Sequence, residues 1–427
     1  MSNLRVLPPR PRDEGWRNLL QKADKGQSFR CNATNAILVL TYHPAWAGLL
    51  AWDAFAERVV FTREPPWERE VSTARRPYWT ENDMCRLVDW FAREFVGPSM
   101  QMKASTLESV IVTVAAEHET HPVRAYLAAL RWDLVQRLPT WLPHYCGAPE
   151  TPYSAAVGVR WMVQAVARVM VPGCQADSML ILESEEQGTG KSSGLRALVP
   201  NPEWFSDTGI TIGDKDSYQA LHGIWIQSLD ELDSMRRAES SKNKSFLTAT
   251  KDHYRPPYAR MARDFPRQCV FAGTTNETEY FQDRTGNRRF WPVRVRRIDV
   301  AGIARDRDQL WAEARTRYES GEKWHADTPE LVTLLGGEQE ERIQADPWQT
   351  LIRDWMADPR TREKFDMARG IQTEELLEHA VRKLTGHWTE GDQKRVVACL
   401  RGLKHARLVQ SREDGVRVRR YLPDAPK

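Results

Sequence analysis

Chemistry is most legible in the run Gln187, Gly188, Thr189, Gly190, Lys191, Ser192, Ser193. Two glycines one residue apart allow a turn that other residues resist, and the N–H groups of such a turn converge on an anion. The lysine and hydroxyl behind the second glycine add a mobile cation and a ligand for a divalent ion. A nucleoside triphosphate with Mg²⁺ is the guest that such a set suits. Lys191 would reach the β- and γ-phosphates and Ser192 would hold Mg²⁺. The common pattern GxxxxGK[ST] puts its first glycine at position 185, where this chain has Glu185. Glu185 and Glu186 must therefore point away from a bound triphosphate.

Three further groups follow in order. The run GIWIQSLDELDS ends an apolar stretch in Asp230 and Glu231. Asp230 would complete the Mg²⁺ shell and Glu231 would orient and deprotonate an attacking water. Asp233 is a weaker competitor for either role. Next, an apolar run leads into GTTN, where Asn276, ahead of Thr274 or Thr275, could hydrogen-bond the γ-phosphate or the water. Taken alone, an ordinary turn explains GTTN as well. Last comes RTGNRRFWPV. Arg288 or Arg289 could bridge a phosphate held by a neighbouring subunit. If that segment is extended, side chains alternate and only one of the two can point that way. A structural salt bridge is the competing reading.

Between the acids and GTTN lies KDHYRPPYARMARDFPRQ. It carries Lys251, Arg255, Arg260, Arg263 and Arg267, with Tyr254 and Tyr258 interleaved. Arginine and tyrosine together suit a loop that tracks a phosphate backbone and stacks on bases. Pairing with local acids such as Asp252 and Asp264 explains the same residues equally well.

These groups need elements to position them. Residues 178–183 read as a buried strand that feeds the glycine turn, and a helix follows from Ser192. Residues 224–229 and 269–272 read as two more buried strands, with carboxylates and polar groups at their C-terminal ends, where open α/β sheets bind ligands. FWPV is strand-like. Alternation of short apolar runs with helical patterns from about 146 to 324 predicts a parallel sheet with crossover helices. The expected domains are 1–145, mostly helical; 146–325, the α/β core; and 326–427, helical and ending in a hairpin. In the first, AILVLTYHPAWAGLLAWDAF reads equally as helix or strands, and HPVRAYLAALRWDLVQRLPTWL reads as one helical segment.

Composition narrows the class. The chain has 427 residues, 28% charged and 41% hydrophobic, with a formal net charge of +3. That excludes a disordered or fibrous chain and a general polyanion binder. The six cysteines form no CxxC pair, so neither a zinc ribbon nor a disulfide framework is indicated. No apolar run approaches bilayer length, and the N-terminus lacks the apolar core of a signal peptide, so a soluble cytoplasmic protein without membrane partners is expected.

The ordered strings HPVRAYLAALRWD, VPGCQADSMLILES, QGTGKS, DHYRPPYAR, FAGTTN and RTGNRRFWPV resemble the virulence-associated protein E family, phage- and prophage-encoded P-loop ATPases related to superfamily 3 helicases of the AAA+ type. The resemblance is dense over about 115–295. It implies an AAA+ core using ATP and Mg²⁺, assembled as a homo-oligomeric ring of six. Each nucleotide would sit at a subunit interface and be completed by an arginine from the next protomer. A hairpin between the acid strand and the GTTN strand would grip single-stranded DNA. Larger relatives carry a primase domain; residues 1–145 show no metal-binding carboxylate triad, so a primase is expected only as a partner.

Near the C-terminus, TEELLEHAVRKLTG and TEGDQKRVVACLRGLKHARL read as helices. RLVQ, a turn at 413–415 and VRVRRYL then suggest a hairpin, so a winged-helix-like module is expected. Residues 393–427 carry ten Lys and Arg against three Asp and Glu. Lys394 and Arg395 on the helix, with Arg417 and Arg419 on the wing, are candidate contacts to duplex DNA. A module used for protein contacts is the alternative. The combined expectation is an ATP-dependent helicase or translocase for a phage or mobile element. Its competitors are a nucleotide-controlled origin-binding switch that recruits a primase or helicase, and a transcriptional regulator.

Overall fold

A computed structural model describes residues 14–22, 29–67, 78–96, 102–211, 213–230, 245–255, 261–281, 287–344, 346–366, 368–403, 405, 407–413 and 416–422. The chain forms two compact units that interleave in sequence. One comprises Met1–Met179, Gly188–Thr274 and Val295–His325; the other comprises Leu180–Gln187, Thr275–Arg294 and Ala326–Lys427.

In the first unit, the ambiguous apolar stretch becomes both of its candidates. Helix α1 (Ala33–Tyr42) starts at Asn32, whose side chain accepts the Asn35 N–H. It stops before Pro44, because the residue ahead of a proline is pushed out of the helical region, and His43 is extended. The chain then forms β1 (Leu50–Asp53), antiparallel to β2 (Arg58–Phe61). Helices α2 (Glu81–Phe91) and α3 (Ala104–Ala115) follow, and β3 (Glu119–Thr120) joins the other edge of β1 in parallel. The described part of the N-terminal region is mostly helical and also holds a three-stranded sheet. Its core includes Trp16, Trp46, Leu49, Phe61, Leu87, Phe91 and Ile111.

The single helical segment expected from His121 to Leu142 is broken. Helix α4 (Pro122–Ala129) ends, an irregular run follows, and α5 (Trp141–Cys146) begins after it. Leu134 has φ +68°, a conformation that ends a helix. The buried Glu313 carboxylate accepts the N–H groups of Arg137 (2.6 Å) and Leu138 (3.0 Å), which an uninterrupted helix would have spent internally. Helix α6 (Pro152–Met170) opens with a Thr151–Ser154 capping box. It buries Trp161, whose indole N–H donates to Phe271 O.

The five-stranded sheet has the order β10-β4-β9-β6-β5, with β4 at Met179–Glu183, β5 at Phe205–Ser206, β6 at Ile226–Asp230, β9 at Val270–Thr275 and β10 at Phe290–Arg294. Strands β5, β6 and β9 pair in parallel, with Ile226 opposite Val270 and Asp230 opposite Thr274. Gly273, Thr274 and Thr275 are thus strand residues, not a turn. A separate antiparallel hairpin joins β7 (Lys251–Tyr254) to β8 (Arg263–Pro266). Helix α7 (Lys191–Ala197) follows the glycine turn, α8 (Lys215–Gln219) lies further on, and α9 (Val300–Glu319) closes the unit's helical side.

The second unit adds α10 (Pro329–Glu340), α11 (Pro347–Ala357), α12 (Pro359–Lys364), a π-helical turn Leu376–Ala380 and α13 (Glu390–Gly402). Then β11 (Arg407–Glu413) pairs antiparallel with β12 (Val416–Leu422). Ile352, Leu376, Leu377, Val396 and Leu400 form its core. Backbone bonds between Ile371 and Tyr421 fasten the hairpin to it.

Candidate functional site

Every residue of β4 is buried, and the chain leaves it through a turn in which Glu185, Glu186, Gln187 and Gly188 are exposed. Gly188 (φ +72°) and Gly190 (φ +90°) both adopt the left-handed backbone that a side chain resists. Nothing lies within 4 Å of where a Cβ on Gly188 would sit, so that side of the turn is open. The other side is fixed: Ile298 N–H donates to Thr189 O at 2.9 Å. Behind it, Gly194 lets α7 approach Ile298, whose Cγ2 would stand 2.8 Å from a Cβ there.

Lys191 follows Gly190 directly and is only 8% exposed. Its ammonium donates to Thr189 Oγ1 at 3.4 Å, and burial pushes its pKa down. A partly desolvated cation beside a turn of two left-handed glycines is a place suited to an anion. Ser192 is half-buried and Ser193 exposed.

Asp230 ends β6 in register with Thr274 of β9. Its side chain, and all of Glu231 and Asp233, lie outside the described residues. Thr274 and Thr275 are buried, and Asn276, half-buried, is the first residue beyond the strand. Ser184 N–H donates to Thr275 O at 3.2 Å, so the turn out of β4 begins beside the end of β9. Arg288 and Arg289 occupy a 3₁₀ turn, Asn287–Arg289, and not the extended segment assumed for alternation. Successive side chains there differ by about 120°, and Arg288 is exposed while Arg289 is half-buried.

The basic hairpin is heavily paired. Asp264 binds both Lys251 (2.5 Å) and His253 (2.7 Å). Arg263 bridges to Glu57 (3.2 Å) and lies over Phe265 (4.5 Å). Arg255 is exposed, and Tyr258 and Arg260 lie outside the described residues. Two residues grouped with these by sequence belong to the core. Arg267 forks onto Asp252 (2.7 and 2.8 Å) over the Phe246 ring, and Tyr254 stacks on Phe265. In the C-terminal unit Lys394 pairs with Glu390 (2.8 Å). Arg395 is held by Asp346 (2.7 and 2.8 Å) over Trp348. Arg419 is exposed, and the Arg417 side chain lies outside the described residues.

The Tyr254 hydroxyl and His222 Nε2 are hydrogen-bonded at 3.0 Å. Burial, helped by nearby Arg263 and opposed by Asp252, pushes the His222 pKa from its ordinary 6.5 to about 4. The unfolded chain then takes up this proton first, so the contribution is present above about pH 6.5 and lost as pH falls towards 4. The thermal midpoint should drop between pH 7 and pH 4.5, and His222→Gln should make that drop smaller; an unchanged pH profile would remove His222 as a cause.

One cluster escaped sequence reasoning. Glu183, the last residue of β4, is buried and meets the guanidinium of Arg342, the Tyr280 hydroxyl (2.9 Å) and Arg294 (3.3 Å). A carboxylate ending a wholly apolar strand requires a cation, but nothing in the spacing points to position 342.

Fold and site together define an α/β protein with a glycine-bracketed lysine turn at the end of an inner strand of its sheet. The sequence profile of the virulence-associated protein E-like domain matches residues 127–344, just over half of the chain, and the chain belongs to that family. No curated protein matches it by sequence. Among solved structures, it is similar to the apo C-terminal region of NrS-1 (305–718), with 13% identity, 88% of this chain and 95% of that chain covered, and a TM-score of 0.47. An A-form apo structure of the same region gives 12% identity, coverage of 88% and 96%, and a TM-score of 0.46. No helix among the described residues is long and apolar enough to cross a membrane.

Proposed function

We propose that this protein is an ATPase that acts on DNA during replication of a phage or mobile element, moving on single-stranded DNA as a helicase or translocase. The observation that carries the reading is the turn at residues 188–192: two left-handed glycines, open space on the Cβ side of Gly188 and a buried lysine. These residues fit a nucleoside triphosphate. Gly188 to Lys191 would cradle the phosphates by backbone N–H groups, with Lys191 neutralising their charge, and Ser192 with Asp230 would hold Mg²⁺. When bound, that ion supplies charge neutralisation at the phosphates. Glu231 would take the proton of the attacking water. Asn276 would orient that water or the phosphate. Arg288 or Arg289 would act on the nucleotide of a neighbouring protomer in a ring of six.

The sheet order supports the AAA+ reading, because β9 stands between the loop strand β4 and the acid strand β6. The C-terminal helices and hairpin support a winged-helix-like module, with Arg419 among the exposed cations of its described residues. Arg255, just after β7, is an exposed cation for DNA, while Lys251 and Arg263, also exposed, would have to exchange Asp264 and Glu57 for phosphate. That exchange favours a second reading, a nucleotide-controlled switch that binds an origin or recruits a primase without unwinding.

Glu231→Gln should leave ATP affinity within about threefold while turnover falls by roughly 10²–10⁴. Normal turnover would remove Glu231 from the base role. Strand displacement on a forked substrate separates the two readings, since a switch hydrolyses ATP without releasing a strand.

A further inference from the structure

Arg342 binds the protein by its side chain and its backbone together. Its guanidinium meets both oxygens of Glu183 (2.5–2.9 Å) and the carboxylate of Glu338 (2.8 Å). Its carbonyl accepts the N–H groups of Tyr280 and Phe281, both at 3.0 Å. The Tyr280 hydroxyl then returns to Glu183 at 2.9 Å, and Gln344 N–H donates to Phe281 O at 2.8 Å. Arg342 and Glu183 are both almost fully buried.

The three chain segments brought together are telling. Glu183 immediately precedes the turn at 184–190. Tyr280 lies four residues beyond Asn276. Arg342 lies between α10 and α11, five residues ahead of the C-terminal helices. The bond at the start of the turn, Ser184 N–H to Thr275 O, already ties the first two segments together. A buried ion pair of this kind is weak evidence for added stability, and fixing the position of the segments it joins is the role this geometry suits.

We propose that Arg342, Glu183 and Tyr280 form a positioning clamp that makes the foot of the phosphate loop, the segment after Asn276 and the start of the C-terminal helices move as one body, so that nucleotide occupancy is relayed to the C-terminal unit. The clamp rests on the nucleotide reading of residues 188–192. None of the three residues touches nucleotide; each acts through the segments it holds. A buried ion and hydrogen-bond network that holds rigid segments together is one of the physical elements through which coupling is carried.

The test is hydrogen exchange on the full chain, with and without Mg²⁺ and a non-hydrolysable ATP analogue, alongside steady-state ATPase kinetics. In the wild type, the analogue should slow exchange at 184–192 and also at 276–281 and 338–344. Tyr280→Phe removes one hydroxyl and keeps the ring. It should keep the slowing at 184–192 and KM within about twofold. The slowing at 276–281 and 338–344 should be lost, and kcat should fall roughly 3- to 30-fold. A purely structural role would lower the thermal midpoint and leave the relay and kcat intact, and that result overturns the clamp. If Tyr280→Phe fails to fold, Arg342→Lys, which keeps the charge but not the fork, must show the same split. No slowing at 184–192 in the wild type would overturn the nucleotide reading, and the clamp with it, whereas slowing that still reaches 338–344 in both variants overturns the clamp alone.

Discussion

Lys191→Ala should reduce ATP hydrolysis by at least roughly 10²–10³-fold and leave the fold in place. The magnitude follows from what the side chain is. Its side chain is buried, its pKa is pushed down by desolvation, and its ammonium donates to the Thr189 hydroxyl at 3.4 Å. A cation desolvated in this way gains from an incoming anion. Truncating one partner of a desolvated charge pair costs about 2–5 kcal/mol, and the charge redistributed over the phosphate oxygens in the transition state is met by preorganised cations such as Lys191. Fluorescent-nucleotide titration and phosphate release, run beside a thermal melt, check it. Hydrolysis within tenfold of wild type at an unchanged midpoint would sink the phosphate-loop assignment. Lys191→Arg should not rescue, because the planar fork does not fit a space shaped for a compact ammonium.

The turn was legible in sequence because its parts are local. Two glycines, a lysine and a serine within five residues, shortly after four apolar residues, leave few alternatives, and β4 begins within one residue of its expected start. Strand β6 likewise ends on the expected acid. What failed was long-range. The apolar spacing from Leu127 to Leu142 is compatible with one helix, but Glu313, 176 residues along the chain from Arg137, captures the N–H groups that would have continued it. Arginine content could not separate surface from core either. Arg255 and Arg267 look alike in sequence, yet one is exposed and the other fills a space between Asp252 and Phe246. Arg395 likewise reads as a free basic helix face, yet it is paired with Asp346 over Trp348 while remaining exposed.

Arg267→Ala should destabilise the first unit by roughly 3–5 kcal/mol, because it strands a buried carboxylate, Asp252, without its cation. The guanidinium also donates to Phe246 O and lies over the Phe246 ring, so packing is lost along with charge. These contacts sit at the foot of the β7–β8 hairpin, where Arg267 N–H donates to Thr250 O and Gly173 N–H to Arg267 O. Loss of the side chain should therefore loosen the hairpin before it unfolds the sheet. A urea midpoint measures the first effect, and exchange rates at 251–254 against those at 226–229 measure the second. The paired change Asp252→Leu with Arg267→Met removes both charges at similar volume and should recover most of the lost stability. If the single substitution costs under about 1 kcal/mol, the pair is no more than a surface bridge, and the hairpin is held by Tyr254, Phe265 and His222 instead.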